Sequence, residues 1–123
     1  MEDIFDDNTP IYLQLMKLFT IRIAGGEWKA GDRVVSVRDL AVEFKVNPNT
    51  VQRALAELER DGLVFSERTS GRYITSEEGK IQRARSMLAE QEVAQFTLHM
   101  KQLGYGRKEW IALVEDQMKK ENN

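Results

Sequence analysis

Within a stretch of 123 residues, the side chains best suited to recognition chemistry lie close together: Asn49, Thr50, Gln52 and Arg53. Asn and Gln carry both a donor and an acceptor, Thr a hydroxyl, and Arg a fork of donors. These are the groups that pair with base edges or phosphates in a DNA major groove. At about 100° per residue, Asn49, Arg53, Ala56 and Arg60 fall opposite the apolar Val51, Leu55 and Leu58, with Thr50 and Gln52 at the flanks. Ala56 is small and permits close approach, and the acidic Glu57 and Glu59 come late. A polar helix face by itself is ordinarily only a solvated face. What changes its meaning is the pair of elements around it.

Asn47-Pro48 is a strong helix start, an N-cap followed by the one interior position where Pro is welcome. Before it, Ser36 caps a second helix with Asp39 three residues on, and Val37, Leu40, Ala41 and Phe44 are that helix's apolar face. Lys45-Val46 breaks it. Two short helices around a tight turn form a helix-turn-helix. Asp61-Gly62 stops the second of them. Leu63-Val64-Phe65 and Arg72-Tyr73-Ile74 then read as strands around the polar turn Glu67-Arg68-Thr69-Ser70-Gly71, a hairpin where a wing would lie. Upstream, Ile11, Leu15, Leu18, Phe19 and Ile23 predict an amphipathic helix, with Asn8 or Thr9 as cap, Pro10 in its first turn and Gly25-Gly26 at its end. Val34-Val35 is a candidate third strand.

The chain beyond Glu77 changes character. Val93, Phe96, Met100 and Leu103 recur at spacings of three, four and three, a heptad-like stripe. Gly104 ends that helix, and Arg107 to Glu121 forms a last one bearing Trp110, Ile111, Leu113, Val114 and Met118. A tail of roughly 45 residues is too small to enclose a metabolite in a pocket of the usual size. Its stripe has little of its own to bury against, and a second copy related by a two-fold axis is the economical solution. The expected dimer interface is therefore Val93, Phe96, Met100, Leu103, Trp110, Leu113 and Val114.

Composition narrows the function classes. Net charge is −2, but it is uneven. Residues 1–32 carry three cations against six anions, residues 33–85 ten against eight, and residues 86–123 five against six. The basic excess lies in the middle, and it is small enough that position must count for more than total charge. There is no cysteine, so disulfides and thiolate metal sites are excluded. His99 is the single histidine, without carboxylates at ligand spacing, and no phosphate loop, nucleophile elbow or metal motif appears. An enzyme is not expected, nor a cofactor. The acidic start, Met1-Glu2-Asp3, is unlike a signal peptide, and no apolar run is long enough to cross a bilayer. A cytoplasmic protein with no membrane partner is expected.

Several segments together resemble a known family. Ala24-Gly25-Gly26-Glu27-Trp28-Lys29-Ala30-Gly31-Asp32-Arg33 is similar to the opening of the GntR family of transcription regulators. Ser36-Val37-Arg38-Asp39-Leu40-Ala41 resembles its second helix, and Asn47-Pro48-Asn49-Thr50-Val51-Gln52-Arg53-Ala54 with Leu58-Glu59-Arg60-Asp61-Gly62-Leu63-Val64 its recognition helix and next strand. The Asn-Pro-Asn-Thr-Val run, the short tail and its Leu103-Gly104-Tyr105 piece resemble the YtrA-type branch. The likeness spans roughly residues 10–121.

The resemblance implies an α+β, mostly helical fold: a winged helix-turn-helix over residues 8–76, then a two-helix dimerisation tail over 77–123. It implies a DNA-binding regulator, a repressor, working as a homodimer on a pseudo-palindromic operator. It also implies DNA contacts from Arg38, Asn49, Thr50, Gln52 and Gly71, to which the residues themselves add Arg53. Ser36 at the start of the second helix, with Thr69 and Arg72 in the wing, completes the expected surface. Two departures from the family pattern stand out. Val35 occupies a place where Pro is common, and the wing turn has one Gly where two are common. The competing reading is a winged helix that binds protein rather than DNA. The sequence does not name an operator or a small-molecule effector.

Overall fold

The computed structural model describes residues 5, 6 and 8–122. In chain order the elements are α1 (Ile11–Ala24), α2 (Val37–Phe44), α3 (Pro48–Arg60), β1 (Val64–Glu67), β2 (Gly71–Ile74), α4 (Glu78–Gln102) and α5 (Arg107–Glu121). Their starts and stops follow from local chemistry. The Ser36 hydroxyl accepts from the Asp39 amide at 3.1 Å, and Asn47 Oδ1 accepts from the Asn49 amide at 2.8 Å with Pro48 at the first helical position. Each bond satisfies a donor that a helix start leaves without an intrahelical partner, a cap of about 1 kcal/mol. Lys45 closes α2 in the left-handed conformation (φ 57°). That turn lets the Val46 amide reach back to the Ala41 carbonyl at 3.0 Å and points the chain into α3.

The start of α1 differs from the sequence expectation. Pro10 itself holds the cap position, and no side chain caps the helix. Asn8 and Thr9 instead donate their amides to Asp6 Oδ1, while the Gln14 amide reaches back to the carbonyls of Asp6 and Thr9. A glutamine one turn into the helix holds the incoming chain in place of a capping hydroxyl.

The apolar faces of the three helices meet in one core. Leu15, Phe19, Leu40, Val51, Ala54, Leu55 and Leu58 are almost wholly buried, and Val64 and Ile74 close it from the hairpin. Each large aliphatic side chain so buried stabilises the fold by about 1.5–3 kcal/mol. The hairpin is antiparallel, with Val64 opposite Ile74, Phe65 opposite Tyr73, Ser66 opposite Arg72 and Glu67 opposite Gly71. It is one to two residues longer at the turn end than the apolar runs implied. The third rung lies slightly earlier than Val34-Val35: Arg33 bridges Tyr73, with the Val34 amide on the Arg72 carbonyl and the Ile74 amide on the Asp32 carbonyl, both at 2.8 Å.

Two compact units divide the chain, the first ending at Ser86 and the second beginning at Met87. In the first, the opening turns of α4 bury Ile81 and pack Ala84 on the core. In the second, Gly104 (φ 88°) turns the chain two residues after α4, and the Tyr105 amide bonds back to the Met100 carbonyl at 3.0 Å. α5 opens with the Gly106 amide on Glu109 Oε1 at 2.9 Å. Phe96 meets Trp110 edge to face, centroids 5.7 Å apart. No residue of α5 is buried. Among the described residues no helix is long and apolar enough to cross a membrane.

Candidate nucleic-acid interface

α3 is held from three sides, by α1, α2 and β1. Its inner stripe, Val51, Ala54, Leu55 and Leu58, is fully committed to the core. The opposite face is turned outward: Asn49, Gln52, Arg53, Ala56 and Arg60 are exposed, and Thr50 is half-buried. A helix of 13 residues is about 20 Å long, and its exposed polar start fits the dimensions of a major groove. The arrangement read from the periodicity is thus present in three dimensions, with the polar side chains outward.

The side chains around that face are not equivalent. Arg38, in the first turn of α2, is exposed and makes no ion pair among the described residues. Ser36, also exposed, has its hydroxyl committed to the cap of α2. Arg53 lies across the ring of Tyr12, its guanidinium carbon 3.7 Å from the centroid. Ile11, Tyr12, Asn49, Thr50 and Arg53 line a cleft of about 400 Å³ where α1 and α3 both begin. Thr69 is exposed in the hairpin turn, and Gly71 follows at φ +111°, a conformation that favours glycine. The Arg33 guanidinium lies against Gly71, about where a side chain there would go.

Arg72 is engaged within the protein. Its Nη1 donates to Gln52 Oε1 at 2.9 Å, and its buried Nε lies 3.6 Å from Glu59 Oε1, beyond hydrogen-bond range. Glu59 in turn accepts from the Ser66 hydroxyl at 2.7 Å. A chain of polar contacts therefore runs from β1 through α3 to β2 and ends on Gln52.

Away from this face, Arg22 joins α1 to α2. It pairs with Glu43 through both carboxylate oxygens, with Glu27 at 3.1 Å, and packs over the rings of Phe44 and Trp28. The hydrogen bond from Arg22 holds the Glu43 carboxyl below the usual carboxylate range, and Glu43 raises the Arg22 guanidinium. Lys80 does the same to the exposed Glu77 carboxyl.

Sequence reasoning missed Tyr12, Arg33, Glu59 and Ser66 as neighbours of the interface. Tyr12 carried the one usable signal, a phenol just outside the apolar stripe of α1. Among the described residues, no group of three or more His, Asp or Glu could hold a metal ion.

Comparison with known proteins agrees with this architecture. The chain is 34% identical over 111 residues to the uncharacterized HTH-type transcriptional regulator YhcF of Bacillus subtilis (strain 168), covering 90% of this chain and 92% of that one. It is 36% identical over 96 residues to the HTH-type transcriptional repressor YtrA of the same organism, covering 78% and 69%. A GntR family transcriptional regulator from Listeria monocytogenes has the same fold with a TM-score of 0.81 and 38% identity, over 91% of this chain and 98% of that one. Residues 11–74, from the first turn of α1 to the last residue of β2, match the family described as "Bacterial regulatory proteins, gntR family". The chain therefore belongs to the gntR family of bacterial regulatory proteins.

Proposed function

We propose that this regulator binds double-stranded operator DNA as a homodimer in the cytoplasm and represses transcription by occupying the operator. The observation that carries the reading is the exposed polar start of α3, with Asn49, Gln52 and Arg53 outward beside an exposed Arg38 that makes no ion pair among the described residues. In helix-turn-helix docking, the N-terminal residues of the second helix reach base edges while neighbouring groups hold phosphates. On that pattern Asn49, Thr50 and Gln52 read bases, and Arg38 and Arg53 hold phosphates. Ser36 lies at the edge of the contact, and the wing tip at Thr69 and Gly71 approaches the backbone. The repressor role rests on the likeness to YtrA, which bears that name.

Dimerisation is supported by the tail. Val93 and Leu103 are 61% and 70% exposed, and Leu113 and Val114 are exposed beside the half-buried Phe96, Met100 and Trp110. So much apolar surface on one small unit calls for a partner, and a second copy supplies an identical stripe. The winged helix over residues 8–76 then works as the reading head and residues 77–123 as the coupling tail.

The test is selection of bound duplexes from a random library with the purified full-length protein. A motif with two-fold symmetry is expected. Replacing Arg38 and Arg53 by Ala should flatten the dependence of log K on log salt by about one unit per contact. No enriched sequence, with binding to a protein partner instead, would establish the winged helix as a protein-interaction module.

A further inference from the structure

We propose that Arg72 is a positioning residue that fixes the base preference of Gln52, so that Gln52 reads guanine rather than adenine. The inference rests on the DNA-reading role proposed for α3 and goes one step further. A guanidinium has donors and no acceptor. The Gln52 atom 2.9 Å from Arg72 Nη1 must therefore be the carbonyl oxygen. The opposite amide rotamer would set two donors against each other.

Arg72 is itself held in place. Its side chain is only 25% exposed, Glu59 lies beside its Nε, and the Ser66 hydroxyl holds Glu59. Ser66 and Arg72 are directly paired across the hairpin, so the strand register and the amide orientation are one arrangement.

The consequence for recognition follows from base-edge chemistry. Glutamine reads adenine by a fork, with its oxygen accepting from N6 and its nitrogen donating to N7. That fork needs both amide atoms turned to the base. With Oε1 turned toward Arg72, the exposed Gln52 side chain offers Nε2 and its two protons. Guanine presents two acceptors, N7 and O6, on its major-groove edge, and adenine presents one acceptor beside a donor. A side chain that only donates therefore favours guanine and meets an unsatisfied N6 donor on adenine. Arg72, with its charge opposed by Glu59 and most of its surface covered, is not needed as a phosphate contact in this account.

The experiment is library selection with the full-length wild type, Gln52→Glu and Arg72→Met, after thermal melts show that each variant folds. In the wild type, one symmetry-related position per half-site should prefer guanine over adenine by roughly tenfold or more. Gln52→Glu keeps the Arg72 partner but offers only acceptors, so the same position should switch to a base that donates, cytosine foremost. Arg72→Met frees Oε1 for the adenine fork, so the preference at that position alone should move from guanine toward adenine, with an unchanged salt slope.

Two results would overturn the proposal: a wild-type preference for adenine at the position where Gln52→Glu acts, or an Arg72→Met profile that keeps the wild type's preference for guanine there. A uniform loss of affinity in Arg72→Met, with the salt slope reduced by about one, would also overturn it and make Arg72 a phosphate contact. If Arg72→Met does not fold, the wild-type base at the position that Gln52→Glu switches decides: guanine there supports the assignment, and adenine or no switch refutes it. Failure of the wild type to enrich any motif would instead remove the DNA reading itself.

Discussion

Arg53 of α3 and Tyr12 of α1 form a cation–π pair, the guanidinium carbon 3.7 Å from the ring centroid. The pair joins the start of the first helix to the start of the recognition helix. It leaves the positive charge at the surface while restricting where that charge can go. Such a contact contributes about 0.5–1 kcal/mol when exposed. Tyr12→Leu should lower unfolding free energy by that amount, and Tyr12→Phe should leave it nearly unchanged, both read from urea denaturation. Tyr12→Leu should also weaken operator binding while the salt slope stays near that of the wild type, because the cation remains but is no longer held in place.

The Arg22–Glu43 pair predicts a pH dependence with a definite sign. Arg22 lowers the Glu43 carboxyl in the folded state. A depressed carboxylate contributes stability above its unfolded value and loses it as pH falls through its folded value. The Glu43 side chain is 48% exposed, so screening keeps the contribution below about 1 kcal/mol. Glu43→Gln should therefore be slightly less stable than the wild type at neutral pH. The gap should close as pH falls below the ordinary carboxylate range. Arg22 adds no dependence at neutral or mildly basic pH, because its guanidinium stays charged throughout. Denaturation midpoints measured across an acid series check the sign; a gap that widens in acid would contradict it.

The contrast between these residues and the helix caps marks what a sequence can show. Ser36, Asn47 and Pro48 act within a few residues of themselves, so their roles as helix starts were legible from spacing. The stripe of α3 was legible for the same reason, since one helical period relates all its members. Gln52 and Arg72 are 20 residues apart, and their bond depends on the hairpin register together with the packing of β1 on α3. No local pattern carries that information. Arg53 and Tyr12 likewise meet only because α1 packs on α3. The cap of α1 was misread for a subtler reason: Asn8 and Thr9 have the right chemistry, but Asp6 takes their amides, and Gln14 holds the carbonyls of Asp6 and Thr9.

Gly71 supplies a third prediction. Its φ of +111° at the end of the wing turn is a conformation that L side chains rarely adopt. A Cβ there would also lie 3.3 Å from the Arg33 guanidinium. That side chain can move, so the backbone dominates the cost. Gly71→Ala should destabilise the first unit by about 1–2 kcal/mol, seen as a shift in urea midpoint at unchanged slope. Ser70→Ala, one residue earlier, removes only the hydrogen bond between the Ser70 and Tyr73 hydroxyls and should cost less.

The tail yields the fourth prediction. Val93 and Leu103 are among its most exposed apolar residues, and neither belongs to the core of the first unit. Charges placed there cost little in an isolated chain, because both positions already face water. In a dimer that buries them, two like charges per copy would meet across the two-fold axis without compensation, and a buried unpaired charge is strongly unfavourable. The double variant Val93→Glu and Leu103→Glu should therefore sediment as a monomer at concentrations where the wild type is a dimer. Its helical circular dichroism should stay within a few per cent of the wild type's if the tail folds on its own contacts, the Phe96–Trp110 pair among them. Affinity for a two-half-site operator should fall by roughly a hundredfold or more, because two independent heads lose the benefit of linkage. Affinity for a single half-site should be unchanged, since every proposed base and phosphate contact lies before residue 73. A double variant that remains dimeric would place the seam on a different face of the tail.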